Sequence, residues 1–217
     1  MSDSKLLLLG AGGHCRSVLD SINKSLYTDI VIVDMPELVG QIVDNLPIIG
    51  TDDDIPELFF KGYKRAAITV GSVGSPKIRI KLYKLLKATG FELPVIIDPS
   101  AVLSQHATVE EGVFIGKGAI LNAGVRIGYC SIINSGAIID HDTSIGCFTH
   151  VSPGSSISGF VTIGDYTHLG TGCAVIDTLS IGENTTIGAG SVVVRDIPKN
   201  VVAYGNPCKV QRKRDKV

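Results

Sequence analysis

From Ile97 to Val193 every sixth residue is aliphatic. The series runs Ile97, Leu103, Val109, Ile115, Leu121, Ile127, Ile133, Ile139, Ile145, Val151, Ile157, Ile163, Leu169, Val175, Ile181, Ile187 and Val193, with no break in register. Neither the 3.6-residue period of a helix nor the two-residue alternation of a strand yields a fixed period of six. A two- or three-residue strand followed by a corner does. Each hexad then forms one face of a prism, three hexads make a coil, and coils stack by parallel strand pairing. The aliphatic residue fills the axis. The residue four places on is mostly small or β-branched (Ala101, Ala107, Ala119, Ala137, Thr143, Thr149, Ser155), as expected where three faces converge. The residue one place on is often glycine, as at Gly116, Gly128, Gly146, Gly164, Gly182 and Gly188, which suits corner dihedrals.

The first half follows another rule. Apolar runs at 5–9, 30–33 and 66–70 read as buried strands. Helical patterns follow the first (Val18, Leu19, Ile22) and the third (Pro76 to Ala88, with Ile78, Ile80, Leu82, Leu85 and Leu86 apolar). Strand and helix alternate, so the expected unit is a small Rossmann-like βαβαβ domain with a parallel sheet. The expected organisation is an α/β domain over 1–95, a β-helix over 96–197, and a C-terminal loop and tail over 198–217.

Composition narrows the function. The chain has 217 residues, with 20 Lys and Arg against 21 Asp and Glu, so no basic field is present to hold nucleic acid. No apolar run approaches the roughly 20 residues of a membrane span. Five cysteines without a CxxC pair suggest neither a disulfide framework nor a zinc knuckle. A cytoplasmic protein is expected.

The first strand runs into Gly10-Ala11-Gly12-Gly13-His14 and then a helix. Backbone N–H groups and the helix dipole at such a turn favour a phosphate. The dinucleotide fingerprint needs a third glycine where Cys15 stands, so a nucleotide diphosphate fits better than a dinucleotide. Asp34, at the end of the second strand, can serve as a ribose or base ligand or as a loop cap, and both readings stand.

Three segments together resemble the bacterial nucleotide-amino-sugar N-acetyltransferases grouped with sialic-acid O-acetyltransferases: LGAGGHCR, IIDHDTSIGCFTHVSPGSSISG and YGNPCKV. The resemblance spans nearly the whole chain. It implies a left-handed β-helix behind an α/β domain, a homotrimer, and acetyl-CoA bound between subunits as co-substrate, with no metal. By resemblance His141 is the catalytic base, with Asp142 as its carboxylate. His150 and Gly159 lie by the acetyl group, and Lys209 lies by the coenzyme's far end, where Arg212, Lys213 and Arg214 are further candidates. Gly12, Gly13, His14 and Asp34 form the nucleotide-sugar site. Met35 stands where several relatives carry a second acid. The implied acceptor is a nucleotide-linked 4-amino-4,6-dideoxy sugar of bacterial glycan biosynthesis, UDP-linked by preference, with dTDP and GDP as alternatives.

The chemistry is consistent with that implication. An amine attacking a thioester loses a proton as the bond forms, and an outward histidine flanked by Asp140 and Asp142 is a suitable base. A backbone N–H at a corner can receive the developing oxyanion. His141 and His150 lie nine residues, or half a coil, apart, so a site using both would lie between subunits. His150 can equally be structural. Two other enzyme readings remain. One is O-acetylation of a sialic-acid-type sugar. The other is a zinc lyase of the β-helical carbonic anhydrase type using His141, His150 and His168. A non-catalytic sugar-nucleotide sensor is the third.

Overall fold

The computed structural model describes residues 4–215. An N-terminal sheet contains β1 (Lys5–Leu9), β2 (Asp29–Val33), β3 (Ile42–Val43), β4 (Leu46–Gly50) and β5 (Arg65–Ile68), in the order β3-β4-β2-β1-β5. β1, β2, β4 and β5 are parallel, and β3 pairs antiparallel with β4. Helix α1 (Gly13–Ser21) follows β1, α2 (Ile55–Phe60) precedes β5, and α3 (Lys77–Thr89) follows it. Because β2 and β5 flank β1 on opposite sides, the chain reverses direction across the sheet at the end of β1. That crevice is where open α/β sheets bind ligands.

The three strands and two longer helices read from the sequence are present. The β3–β4 hairpin and α2 are additional. Asp44 and Asn45 both have positive φ (46° and 67°), the conformation of a two-residue hairpin turn, so Val-Asp-Asn-Leu was a legible signal. Ile78 is 60% exposed and not in the core as the helical pattern implied.

From Ile96 onward the chain forms a left-handed parallel β-helix. Each strand is two residues long, and its second residue is the aliphatic member of the six-residue series. Partners lie 18 residues apart, as in Ile120↔Ile138 and Ile132↔His150. The axis is filled from Ile115 to Val193, and these residues are almost wholly buried. Ile97 is 43% exposed because no coil lies beneath it.

Two details correct the expected corner chemistry. The left-handed dihedrals fall three places after the aliphatic residue, not one. One corner carries Gly118, Gly136, Gly154, Gly172 and Gly190. A second carries Cys130, Phe148, Tyr166 and Asn184, and the third Gly124, Asp142, Phe160 and Thr178, all with φ between 51° and 75°. The glycines one place on serve coil stacking: a Cβ on Gly128 would lie 2.7 Å from the Cys147 nitrogen of the next coil. The small buried residues also hold the coils together. Thr149 Oγ1 donates to the Gly164 carbonyl and accepts from Thr167 N, and Thr167 and Thr185 repeat the pattern upward. These hydroxyls are therefore buried without being orphaned.

Part of the segment expected as loop and tail forms strands. Val201–Gly205 and Cys208–Lys213 form a hairpin that adds to one sheet of the prism, with Ala203 and Cys208 closing the axis.

The outward residue of each strand, read at intervals of 18, explains how the domains join. One face presents Ile96, Phe114, Ile132, His150, His168 and Thr186. The first three are apolar and pack against Leu6, Leu8, Val18 and Leu19 of the N-terminal domain. Arg79 of α3, fully buried, bridges the same junction. Its guanidinium donates to the carbonyls of Ile68 and Val70 (2.7 Å each) and of Cys130 (2.9 Å).

Candidate active site

His150 is the first polar residue on that face beyond the domain junction. At this height the glycine loop of the N-terminal domain ends, and a cavity of about 500 Å³ opens between the two. Gly12, Gly13, His14 and Asp34 line it from one side, Asn134 and His150 from the other, and Thr69, Val70, Gly71 and Val73 close it. α1 begins at Gly13 without a side-chain cap, and the N–H groups of Gly13 and His14 have no partner among the described residues. The glycines divide the work. Gly10 (φ 109°) has no room for a Cβ, which would lie 2.8 Å from Val70 N, whereas a Cβ on Gly12 or Gly13 would touch nothing within 4 Å. Gly10 is therefore required by the fold. Gly12 and Gly13 leave open space beside a helix N-terminus.

Asp34 forms the ridge between this cavity and a second of about 510 Å³, lined also by Met35, Asp52, Asp53, Ile78 and Lys81. Its two carboxylate oxygens accept hydrogen bonds from Ala11 N and Met35 N, so it holds the glycine loop to the end of β2. Cys15 is fully buried in the core, where a third glycine would leave a void.

Two imidazoles in the cleft are neutral across the physiological range. Burial, with the nearby Arg79 charge adding to it, holds the His14 pKa down to about 3. Burial, followed by His168, holds His150 down to about 3 as well. Each has one buried ring nitrogen without a partner, Nε2 of His14 and Nδ1 of His150. Nε2 of His150 lies 3.3 Å from Asn134 Nδ2. His168 stacks on His150 with ring centroids 5.1 Å apart and pairs with Ser152 Oγ at 2.9 Å.

His141 sits elsewhere, at the corner carrying Gly124, Asp142 and Phe160. Its side chain is half exposed. Nδ1 lies 3.1 Å from Asp142 Oδ2, which leaves Nε2 unpaired. The Phe160 ring meets the imidazole edge-on at 5.2 Å. Asp140 does not touch the ring. Its Oδ1 accepts from His141 N (2.7 Å) and Asn122 Nδ2 (2.8 Å), and the His141 N–H chiefly holds its carboxyl below the ordinary range. Gly159 lies one coil further along, against the imidazole, and its N–H has no partner among the described residues.

Within one chain the candidates thus form two groups: the cleft (Gly12, Gly13, His14, Asp34, His150) and the corner (His141, Asp142, Gly159). Lys209 joins neither and is exposed on the terminal hairpin. Asn122, Asn134 and Arg79 were missed. The two asparagines stand exactly one coil from Asp140 and Ser152, so an 18-residue step would have found them. Among the described residues no group of three or more His, Cys, Asp or Glu is placed to hold a metal ion.

Residues 5–86 match the family model described as the PglD N-terminal domain. The chain shares 36% identity with the perosamine N-acetyltransferase of Caulobacter crescentus, solved with CoA and GDP-perosamine, at a TM-score of 0.90 over 96% of this chain and 97% of that one. The chain belongs to the hexapeptide-repeat nucleotide-amino-sugar acetyltransferases. It is an acyltransferase by that membership. The acetyltransferase domain of PglB from Neisseria gonorrhoeae FA1090, in complex with acetyl coenzyme A, is 32% identical, with a TM-score of 0.89 over 97% of this chain and 100% of that one. WeeI from Acinetobacter baumannii AYE shares the fold at 21% identity, with a TM-score of 0.78 over 96% and 100%. No curated protein shows significant similarity to the chain.

Proposed function

We propose that the chain transfers the acetyl group of acetyl-CoA to the amino group of a nucleoside-diphosphate-linked 4-amino-4,6-dideoxy sugar. The observation that carries this reading is His141 held over Gly159 with one ring nitrogen engaged and the other free. Asp142 accepts from Nδ1–H, which fixes the tautomer with a lone pair on Nε2. As the sugar amine attacks the thioester carbon, Nε2 takes the proton. The Gly159 N–H then faces the carbonyl oxygen as it gains negative charge. When the C–S bond breaks, the imidazolium can return the proton to the departing thiolate.

The cleft supplies the acceptor site. The first turn of α1 and the glycine loop take the diphosphate, and neutral His14 and His150 offer hydrogen bonds without repelling an ammonium group. The corner and the cleft lie on different faces, so we assign a complete site to two subunits of a homotrimer. One face of the prism supports this assembly. Its outward column is Val102, Ile120, Ile138, Ser156, Ala174 and Val192, with Val102 60% and Ile138 40% exposed. Lys209 is on the outermost strand of its sheet, four strands or roughly 19 Å beyond the strand of His150 at about 4.8 Å per strand, a distance that suits the distal part of an extended coenzyme.

GDP-linked sugar is the first acceptor to test. The C. crescentus relative holds GDP-perosamine, and the second cavity presents Asp52 and Asp53, carboxylates that can accept from the paired N–H donors of guanine. Uracil offers one such donor, and the UDP preference read from the sequence is the competing arm. Both nucleotide sugars and acetyl-CoA are cytoplasmic metabolites, and among the described residues no helix is long and apolar enough to cross a membrane. The test is steady-state acetyl transfer to GDP-, UDP- and dTDP-linked 4-amino sugars. A kcat/KM highest for one of them names the nucleotide, and inactivity with all three removes the reading.

A further inference from the structure

The wall of the acceptor cleft includes a loop that scarcely holds itself. Residues 71–76 connect β5 to α3, and Gly71 and Val73 line the cavity. Val73 is 78% exposed and belongs to no core cluster. Across 71–74 a single hydrogen bond is found among the described residues, and it comes from the far end of the chain: Arg214 Nη2 donates to the Gly74 carbonyl at 2.8 Å. Gly74 has φ 81°, a left-handed conformation that favours glycine.

Arg214 is itself well anchored. Its backbone N donates to the Asn200 carbonyl at 2.8 Å, and Nη1 lies 3.4 Å from the Tyr166 carbonyl. Asn184 Nδ2 then holds the next residue, donating to the Asp215 carbonyl at 2.9 Å and to Asn200 Oδ1 at 2.8 Å. The tail is thereby fixed to the corner column of the β-helix that carries Tyr166 and Asn184. Arg79 secures the other end of the loop from inside, at the Val70 carbonyl. A carbonyl bound by a guanidinium makes a charge-assisted bond, stronger than a neutral one.

We propose that Arg214 is a positioning residue for the acceptor cleft, strapping the Gly71–Pro76 loop to the β-helix so that Gly71 and Val73 form a fixed wall. It touches neither reacting atom. The role rests on the cleft being the nucleotide-sugar site. It reassigns Arg214 from the coenzyme, for which the tail was a candidate, to the acceptor.

The test uses the full chain with Arg214→Ala and Arg214→Lys. The strap predicts that Arg214→Ala raises KM for the nucleotide sugar about tenfold, equivalent to about 1.4 kcal/mol. KM for acetyl-CoA should stay within about twofold, and kcat should change less than the acceptor KM. Arg214→Lys should recover part of the loss. Limited proteolysis of the free protein gives a readout independent of substrate, and elastase, which cuts after small residues such as Val73, should cleave within 71–76 faster in Arg214→Ala. Unchanged cleavage there overturns the strap whatever the kinetics. So does a rise in the acetyl-CoA KM with the acceptor KM unmoved, which would return Arg214 to the coenzyme. If the wild-type protein acetylates no nucleotide sugar, the functional reading fails, and proteolysis alone decides whether the loop is strapped.

Discussion

The His141 imidazole lies against Gly159 so closely that a Cβ on Gly159 would come within 2.7 Å of Cε1 and 2.8 Å of Nε2. Glycine is needed there to seat the ring, and its N–H is the oxyanion donor in the proposed reaction. The two substitutions should separate these roles from folding. His141→Ala removes a half-exposed side chain and should lower kcat by about 10²–10⁴-fold with little change in Tm. Gly159→Ala should displace the ring and lower kcat by roughly 10²-fold, the usual consequence of a misplacement of about 1 Å. Steady-state kinetics beside thermal melts checks both. A wild-type kcat in Gly159→Ala would contradict the seating.

If a site needs the corner of one subunit and the cleft of its neighbour, two inactive variants should complement each other. His141→Ala and His150→Ala subunits, co-expressed with different tags and purified through both, should regain activity. Every mixed trimer contains the intact pairing at one of its three interfaces. Activity no higher than that of either parent would place the whole site in one chain.

The glycines of the β-helix should differ in cost. Gly128→Ala drives a Cβ against the backbone of the next coil, which cannot yield cheaply, so a loss of about 1–3 kcal/mol is expected. Gly118 has φ 63° and open space around it, so Gly118→Ala incurs only the left-handed dihedral, about 1–2 kcal/mol at most. Denaturant melts should rank Gly128→Ala as the less stable of the two.

Stability should fall as pH drops from neutrality, in part through His150. In the folded chain it stays neutral down to about pH 3, whereas in the unfolded chain it takes up a proton near its ordinary value of 6.5. Between those values the unfolded state binds more protons. The contribution of His150 is therefore present above pH 6.5 and is lost toward pH 3, by up to about 1.4 kcal/mol per unit. His14 acts in the same direction. Between pH 6.5 and 5, before most carboxylates titrate, Tm of His150→Gln should fall less steeply than that of the wild type. Equal slopes would contradict the burial argument.

The β-helix was legible because its period is enforced by geometry at every coil: an aliphatic residue must return to the axis after each corner. The period did not show which glycines turn a corner and which allow stacking, since both occur at fixed places in the hexad. Phe148 and Tyr166 occupy left-handed corners where the residue type gives no warning, because the Phe148 ring packs against Tyr83 of α3 and against Tyr129, and Tyr166 stacks on Phe148. The glycine loop and His141 were visible as local motifs. Arg79 and Arg214 were not, since each acts through carbonyls distant in sequence and a carbonyl carries no residue signature. Stepping by 18 along the outward positions would have revealed the column from Ile132 to His150 that places the cleft.

The central claim is transfer of an acetyl group to a sugar amine with His141 as base. The most direct measurement incubates the wild-type protein and His141→Ala with acetyl-CoA and a GDP-linked 4-amino-4,6-dideoxy sugar, then identifies the product by mass and NMR. One acetyl group per sugar is expected, carried as an amide on the amino nitrogen, formed by the wild type and nearly absent with His141→Ala. An ester on a hydroxyl, or equal yields from the two proteins, would contradict it.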